Sequence, residues 1–385
     1  MTSKKNGFVL TLALALTGFI SAVDAFTVSP ILDILNSHFS EFSYAVTSLI
    51  GTVSTVSVAI ASLITAIVCG KLGRKKTLLI GILLCALGGT SSAFFDNFYL
   101  LLATRLIEGF GAGLAFNTGL IMIPYVFNDE EKINKVFGLT TALSSIAGMI
   151  ISTVSGYLGM INWKYSFYLY AVGIVLFFID LAVLPEIKDD GAAASIKPTG
   201  AGLKHALLTF MFSVVSTIYF IDVAAFIAEA VNGTSAQAGI VSAVITFVTF
   251  VMGLVFGKVY GGIGRFTPMV SFIFMALGAA VPLFIPSMTT IYLGAVLFGI
   301  GYGTYYPYIS AEVAEFSAPE NMDANMSWMN VGYYIGQIAC SFFMGLLVTI
   351  FKSESAFTNY WAMLIIFALL AVIYLIDAAA KKTKA

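Results

Sequence analysis

Four ionisable side chains, Asp24, Arg105, Glu108 and Asp222, interrupt long apolar runs where a charge is costly. A charge held at the centre of a bilayer costs at least ~2.5–3.5 kcal/mol, so it persists only when it is paired, faces water or has a function. Arg105 and Glu108 stand three residues apart and share one helix face, where they can neutralise each other as a structural bridge. A second chemistry is open to the same residues. In it, Arg105 also reaches Asp24, and protonation of an acid releases the Arg and favours a change in helix packing. Asp222 has no basic residue at its level in its own half of the chain. It is a candidate to meet a cationic substrate or to carry a proton, against a water-solvated structural acid. Proton coupling is therefore assigned to Asp24, Arg105, Glu108 and Asp222, and Asp24 and Asp222 are also placed on the substrate path.

The elements that must hold these groups are transmembrane helices. Of the 385 residues, 59% are apolar and 10% charged, and the mean hydropathy is +0.96. So few polar side chains cannot cover a water-soluble globule of this size. Apolar segments of spanning length fall at 7–34, 42–69, 76–95, 97–126, 136–160, 165–184, 205–231, 237–259, 268–287, 290–314, 326–350 and 357–379. They predict an all-α membrane protein of twelve transmembrane helices in two pseudo-symmetric six-helix bundles, 1–185 and 205–385, joined by a cytoplasmic linker at 186–204. The first segment is too long for a cleavable signal sequence and is read as a retained helix. At ~1.5 Å per residue, all four ionisable groups lie roughly 12–17 Å below the outer surface of a ~30 Å core.

Basic residues set the orientation. With the N-terminus inside, sixteen lysines and arginines fall in inner loops and tails, and only Lys164 and Lys352 fall outside. That bias places both termini in the cytoplasm of a multi-pass protein of the cell membrane (inner or plasma). The net charge of −1 and the segregated charges leave no basic patch for nucleic acid. Cys69, Cys85 and Cys340 each lie in an apolar run, and with His38 and His205 they form no metal-ligand spacing, so no disulfide, metal or cofactor is expected. No nucleophile–base set and no GxxxxGK[ST] loop is present, which argues against an enzyme and against ATP as the driving force. Asp180 and Asp377, near helix ends, are read as interfacial.

Two polar stripes run along helices. Thr17, Ser21 and Asp24 share one face of the first, and Asn330, Tyr334, Gln337 and Ser341 share one face of the eleventh. Each stripe must face a partner helix or a cavity. The tenth segment adds Tyr302, Tyr305, Tyr306 and Tyr308 around Pro307. Ser21, Asp24, Asp222, Tyr302, Tyr305, Tyr306, Asn330, Tyr334 and Gln337 form the candidate substrate-binding set. The two halves also repeat. Gly70-Lys71-Leu72-Gly73-Arg74 recurs as Gly261-Gly262-Ile263-Gly264-Arg265, and Gly109, Gly111 and Gly113 recur as Gly299, Gly301 and Gly303. The glycines are read as close helix packing, whereas Arg105 and Glu108 map onto Ala295 and Phe298 and do not repeat.

These features resemble the major facilitator superfamily over essentially the whole chain. The run Ala66-Ile67-Val68-Cys69-Gly70-Lys71-Leu72-Gly73-Arg74-Lys75 is similar to the family's loop between helices 2 and 3, keeping the Gly-Arg-Lys end and losing an Asp at position 70. Arg105-Leu106-Ile107-Glu108-Gly109-Phe110-Gly111-Ala112-Gly113 is similar to its helix-4 signature. Val23-Asp24 followed by Ser29-Pro30-Ile31-Leu32 resembles the acidic helix-1 motif of drug:proton antiporters. Helix 5 departs from that branch, with Gly148, Ser152-Thr153 and Ser155-Gly156 in place of Gly-Pro and Gly-Gly pairs. The resemblance implies coupling of protons through Arg105 and Asp24, and conformational gating by Gly73, Arg74, Lys75, Gly264 and Arg265.

The function expected is alternating-access secondary transport of a small molecule by a monomer, as proton-coupled export of amphipathic or cationic compounds. The alternative is uptake, exchange or facilitated diffusion of one defined metabolite, such as a sugar, nucleobase, amine or carboxylate. A dianionic substrate is disfavoured because Arg105 is the only basic residue at depth. A non-transporting receptor or scaffold is disfavoured too, since nothing outside the spans has the size of a signalling domain.

Overall fold

The computed structural model describes residues 4–187, 197–353 and 355–382. Lys188, Asp189, Asp190 and Gly191 of the expected linker, and Lys384, lie outside the described residues. Every regular element among the described residues is helical. The first rod, α1, is broken into Lys4–Ala15, Thr17–Phe26, Ser29–Ile31 and Leu32–His38. It is followed by α2 (Leu49–Leu72), α3 (Arg74–Ser91), α4 (Phe98–Val126), α5 (Glu130–Ile161) and α6 (Trp163–Val183). After the linker come α7 (Gly200–Val231), α8 (Ser235–Ile263), α9 (Thr267–Phe284), α10 (Met288–Phe316), α11 (Pro319–Phe351) and α12 (Ala356–Lys382).

Ten stretches among the described residues are long and apolar enough to cross a membrane, and one of them, Gln237–Phe284, holds both α8 and α9. With 29 residues α10 has the length to cross but lies outside those ten stretches, and the order α1–α12 follows the expected all-helical plan among the described residues. Several helices outrun their apolar segments. Hydropathy registers only the part immersed in lipid, and α11 begins at Pro319, seven residues before the apolar run at 326, because proline suits the first helical turn. Large apolar side chains such as Leu63, Ile107, Phe178, Phe342 and Ile376 lie exposed, an arrangement suited to hydrocarbon rather than water.

The chain divides into two compact units. The first comprises Met1–Asn128, Leu143–Ala206 and Val313–Tyr334, and the second Asp129–Ala142, Leu207–Glu312 and Ile335–Ala385. Each unit therefore takes one stretch from the opposite half of the sequence, the start of α5 in one case and the start of α11 in the other. In the first unit α4 lies against α2 and α3. A Cβ added to Gly109 or Gly113 would fall 2.5 Å from Ser54 O or 2.7 Å from Val58 O on α2, and one on Gly111 would fall 2.2 Å from Cys85 N on α3. The second unit repeats the pattern: a Cβ added to Gly299 or Gly303 would fall 2.9 Å from Val248 or Thr249 of α8, and one on Gly301 would fall 2.2 Å from Ser271 O of α9. The glycine repeat is a repeat of helix packing.

Gly73 and Gly264 are equivalent in sequence and share a positive φ. Both have positive φ, 86° and 55°, and each separates two helices, α2 from α3 and α8 from α9. Two irregularities divide α1. At Leu16 the first stretch of α1 ends, with Thr17 Oγ1 donating to Leu14 O at 2.7 Å, and around Pro30 the chain passes through a 3₁₀ turn. Asp24 rides on the ten-residue stretch Thr17–Phe26 between them.

Replacing Gly111 by Val is expected to lower thermal stability in detergent, because overpacking costs about 1–3 kcal/mol or more. Gly239→Ala on α8, where an added Cβ meets nothing within 4 Å, is expected to be neutral or slightly stabilising. Equal melting temperatures for the two variants would refute the packing account.

Candidate functional site

The first unit builds a polar cluster around Arg105. Its helix is started by Asn97, whose side chain accepts from the backbone N–H groups of Tyr99 and Leu100 at 3.0 and 3.1 Å. Two turns on, the Arg105 side chain is fully buried. Its Nε donates to Ile50 O at 3.1 Å and its Nη2 to Ser54 Oγ at 3.0 Å, both on α2. Its Nη1 donates to the Tyr170 hydroxyl of α6 and pairs with Glu108 Oε2 at 2.6 Å. The longest contact is Nη2 to Asp24 Oδ1, at 3.5 Å.

The Asp24 and Glu108 carboxyls also face each other, and Cys85 Sγ donates to Glu108 Oε1 at 3.6 Å. Tyr170 reaches this cluster because its ring lies flat on Gly89, where an added Cβ would sit 2.2 Å from the ring. Tyr334 stands beside Ser21 and faces Asp24. The cluster thus holds two carboxyls against one fixed guanidinium. Since an uncompensated buried charge is strongly unfavourable, it is balanced when the pair of acids carries one proton between them.

Nearer the ends of its helices, the same unit holds a second ion pair. Arg74, the first residue of α3, meets Asp323 of α11 with Nη2 to Oδ2 at 3.0 Å, both side chains 6% exposed. The Tyr125 hydroxyl shares its one proton between Pro319 O at 2.8 Å and Asp323 Oδ1 at 3.2 Å, and Arg74 stacks over the Tyr125 ring at 3.9 Å. Lys75 faces Asp180, which is 2% exposed and lies three residues before the end of α6 at Val183. Asn330 lies apart from the Arg105 cluster, donating to Asn117 Oδ1 at 2.6 Å, while Asn117 donates to Ser62 O and Ser327 Oγ at 3.2 Å each.

In the second unit Asp222 accepts from Asn359 Nδ2 of α12 at 2.5 Å. It makes no ion pair among the described residues. Its surroundings are aromatic: Tyr219 stacks on Phe298 at 4.2 Å, Phe226 stacks on Tyr360 at 3.9 Å, and Phe298 continues to Tyr302 at 5.8 Å. Tyr305 is fully buried, its hydroxyl 2.9 Å from that of Tyr374, whereas Tyr302, Tyr306 and Gln337 are half-buried. Arg265 lies over Phe266 at 5.2 Å and forms no ion pair among the described residues.

A family model described as the Major Facilitator Superfamily matches residues 14–204 and again residues 205–385. The chain belongs to the Major Facilitator Superfamily. Curated relatives include an arabinose-proton symporter of Escherichia coli (strain K12), 26% identical over 187 residues, which are 48% of this chain and 39% of that protein. Another is the multidrug efflux pump SdrM of Staphylococcus aureus (strain N315), 25% identical over 166 residues, 43% of this chain and 36% of the relative. These matches span less than two-fifths of the relatives' lengths. Among solved structures, the human organic anion transporter MFSD10 (TETRAN) has a TM-score of 0.79 at 13% identity, covering 95% of this chain and 99% of its own. The proton:xylose symporter XylE has a TM-score of 0.79 at 14% identity, covering 96% and 95%. At such identities the likeness is one of fold.

The Major Facilitator Superfamily is a family of membrane transporters. Sequence reasoning missed several partners in this superfamily member: Ser54, Tyr170, Asn117, Asp323 and Asn359. Asn117 carried the same signal as the acids, a polar side chain in an apolar run. The others are common residue types whose partners lie far off, Asp323 being 249 residues from Arg74.

Arg105→Met is expected to destabilise the protein by about 3–5 kcal/mol, because it strands two buried acids. Glu108→Gln is expected to cost about 1 kcal/mol or less, because one acid still balances one base. Thermal unfolding in detergent separates the two, and a larger loss for Glu108→Gln would contradict the charge count.

Proposed function

We propose that this protein is a secondary transporter that works by alternating access and moves a small organic molecule against a flow of protons, exporting amphipathic or cationic compounds. The observation that carries the reading is the Arg105 cluster, a buried guanidinium facing two carboxyls that are balanced by one proton. Arg105 is held by Ile50, Ser54, Tyr170 and Glu108 whatever the state of Asp24, so protonation of Asp24 frees α1 rather than the arginine. Pro30, in a 3₁₀ turn just after the stretch carrying Asp24, is where α1 would bend in this reading. In the other unit, Asp222 offers a carboxyl without an ion-pair partner among the described residues to a cationic cargo, and aromatic rings line its surroundings.

The two six-helix bundles 1–185 and 205–385, joined by 186–204, are the moving bodies in this reading. The Arg74–Tyr125–Asp323 network, with Gly73 and Lys75 beside it, acts as a latch that breaks and re-forms in each cycle, and Gly264 and Arg265 mark the unlatched counterpart. The excess of basic residues in the inner loops supports a cell membrane with both termini in the cytoplasm. A monomer suffices, since each unit carries its own cluster.

A second reading is uptake, exchange or facilitated diffusion of one metabolite, such as a sugar. The match to an arabinose-proton symporter favours it, as do the amides Asn117 and Asn330, which suit hydroxyl-rich ligands once their mutual bond opens.

In liposomes under an imposed pH gradient, the exporter reading expects a lipophilic cation to move against the protons. Asp24→Asn should abolish the dependence on the gradient. Selective movement of one sugar, indifferent to Asp24, would replace it with the second reading. The latch has its own test in a protein whose other cysteines, Cys85 and Cys340, are changed to Ala. Cys69 is fully buried beside Arg74 and Asp323, and Asp323→Asn is expected to raise its labelling by a membrane-impermeant maleimide at least about threefold. Unchanged labelling would remove the latch.

A further inference from the structure

We infer that Asn359 is the positioning residue that prepares Asp222 to bind a monovalent organic cation. The inference rests on the reading of Asp222 as the cargo carboxyl. Asp222, Phe226 and Glu229 follow one another at i, i+4 and i+7 along one face of α7, and each engages the first turns of α12. Glu229 accepts from the backbone N–H of Ala356 at 2.9 Å and from the Ser355 hydroxyl. Phe226 stacks on Tyr360 at 3.9 Å and packs against Phe357 at 4.9 Å. These two contacts fix the register of α12 on α7, and that register delivers the Asn359 amide to Asp222 Oδ2 at 2.5 Å. Asn359 is 6% exposed and Asp222 7%, so water is a poor substitute for this bond.

The chemistry of the pair specifies the ligand class. A lysine or arginine at 359 would neutralise Asp222 and repel a cation. An amide donates to one oxygen, orients the carboxyl and adds no charge, so compensation of the carboxylate is left to a cationic ligand. One carboxyl and one amide supply too few oxygens for a hard metal ion, which takes six or more. The rings of Tyr219, Phe226 and Tyr360 suit an ammonium or phosphonium carried on an apolar body. The other titratable groups facing the pair are Tyr219 and Glu229 of α7, Cys340 of α11 and Tyr360 of α12.

The test is transport of tetraphenylphosphonium by the full chain in liposomes, reading KM and kcat separately across pH. Asn359→Leu is expected to raise KM about tenfold with kcat within about twofold, as loss of binding rather than of turnover. Asp222→Asn should do the same, and the double variant should be no worse than Asp222→Asn alone, because Asn359 acts through Asp222. Additive effects in the double variant, or a fall in kcat with KM unchanged, would overturn the assignment. Asn359→Asp keeps the shape and decides the matter if the leucine variant does not fold. It sets a second carboxyl against the first, so the pH profile of KM should gain an ionisation, and a profile identical to the unmodified protein's would leave Asn359 a purely structural role. If the unmodified protein does not move tetraphenylphosphonium, or Asp222→Asn leaves KM untouched, the cargo reading of Asp222 fails and this assignment fails with it. If Asp222→Asn raises KM and Asn359→Leu does not, only the role of Asn359 falls.

Discussion

Burial of the Arg105 guanidinium constrains everything around it. An always-charged group with five donors has to be met on every side when water is excluded, and four helices contribute to meeting it. Glu108 lies beside it on α4, α2 gives a backbone carbonyl and Ser54, α6 gives the Tyr170 hydroxyl, and α1 gives Asp24. The glycines of α4 are the other side of this requirement. With Gly109 set against Ser54 O and Gly111 against Cys85 N, the helix backbones approach closely enough for short side chains to reach the guanidinium.

Much of the fold was legible because a bilayer leaves so few choices. Backbone polar groups must be satisfied within each span, so an apolar run of about twenty residues reads as one helix. The i, i+3 spacing of Arg105 and Glu108 gave their contact directly, and counting the rise per residue placed Asp24 at the level of Arg105, which it touches. Contacts that depend on how distant segments pack were not legible. Nothing in the run Pro319–Asp323 points to Arg74, and nothing near Asn359 points to Asp222, because each pairing arises from helix neighbours rather than from a local pattern. Stripe reasoning also has a limit. The spacing of Asn330 and Tyr334 correctly gives a shared side of α11, yet Asn330 bonds to Asn117 while Tyr334 stands by Ser21.

The repeat shows which features a shared architecture retains. Three glycines in α4 and three in α10 occupy matching positions against their neighbours, and Gly73 and Gly264 both take a positive φ between helices. The charges do not follow: Ala295 and Phe298 stand where Arg105 and Glu108 would be, and Arg265 has no counterpart to the Asp323 ion pair among the described residues. Backbone packing is a property of both units, whereas the guanidinium cluster belongs to one and the amide-held Asp222 to the other.

Gly89 carries a consequence out of proportion to its size. It has no side chain, no charge and no hydrogen-bonding group beyond its backbone, yet the ring that reaches Arg105 rests on it. A single methyl group there would displace Tyr170 and leave one guanidinium donor without its hydroxyl, altering the electrostatics of the cluster while every ionisable residue stayed in place. Sequence variants that keep all the acids and the arginine can therefore still differ in how they hold a proton, and the difference would be encoded where a residue is missing rather than where one is present.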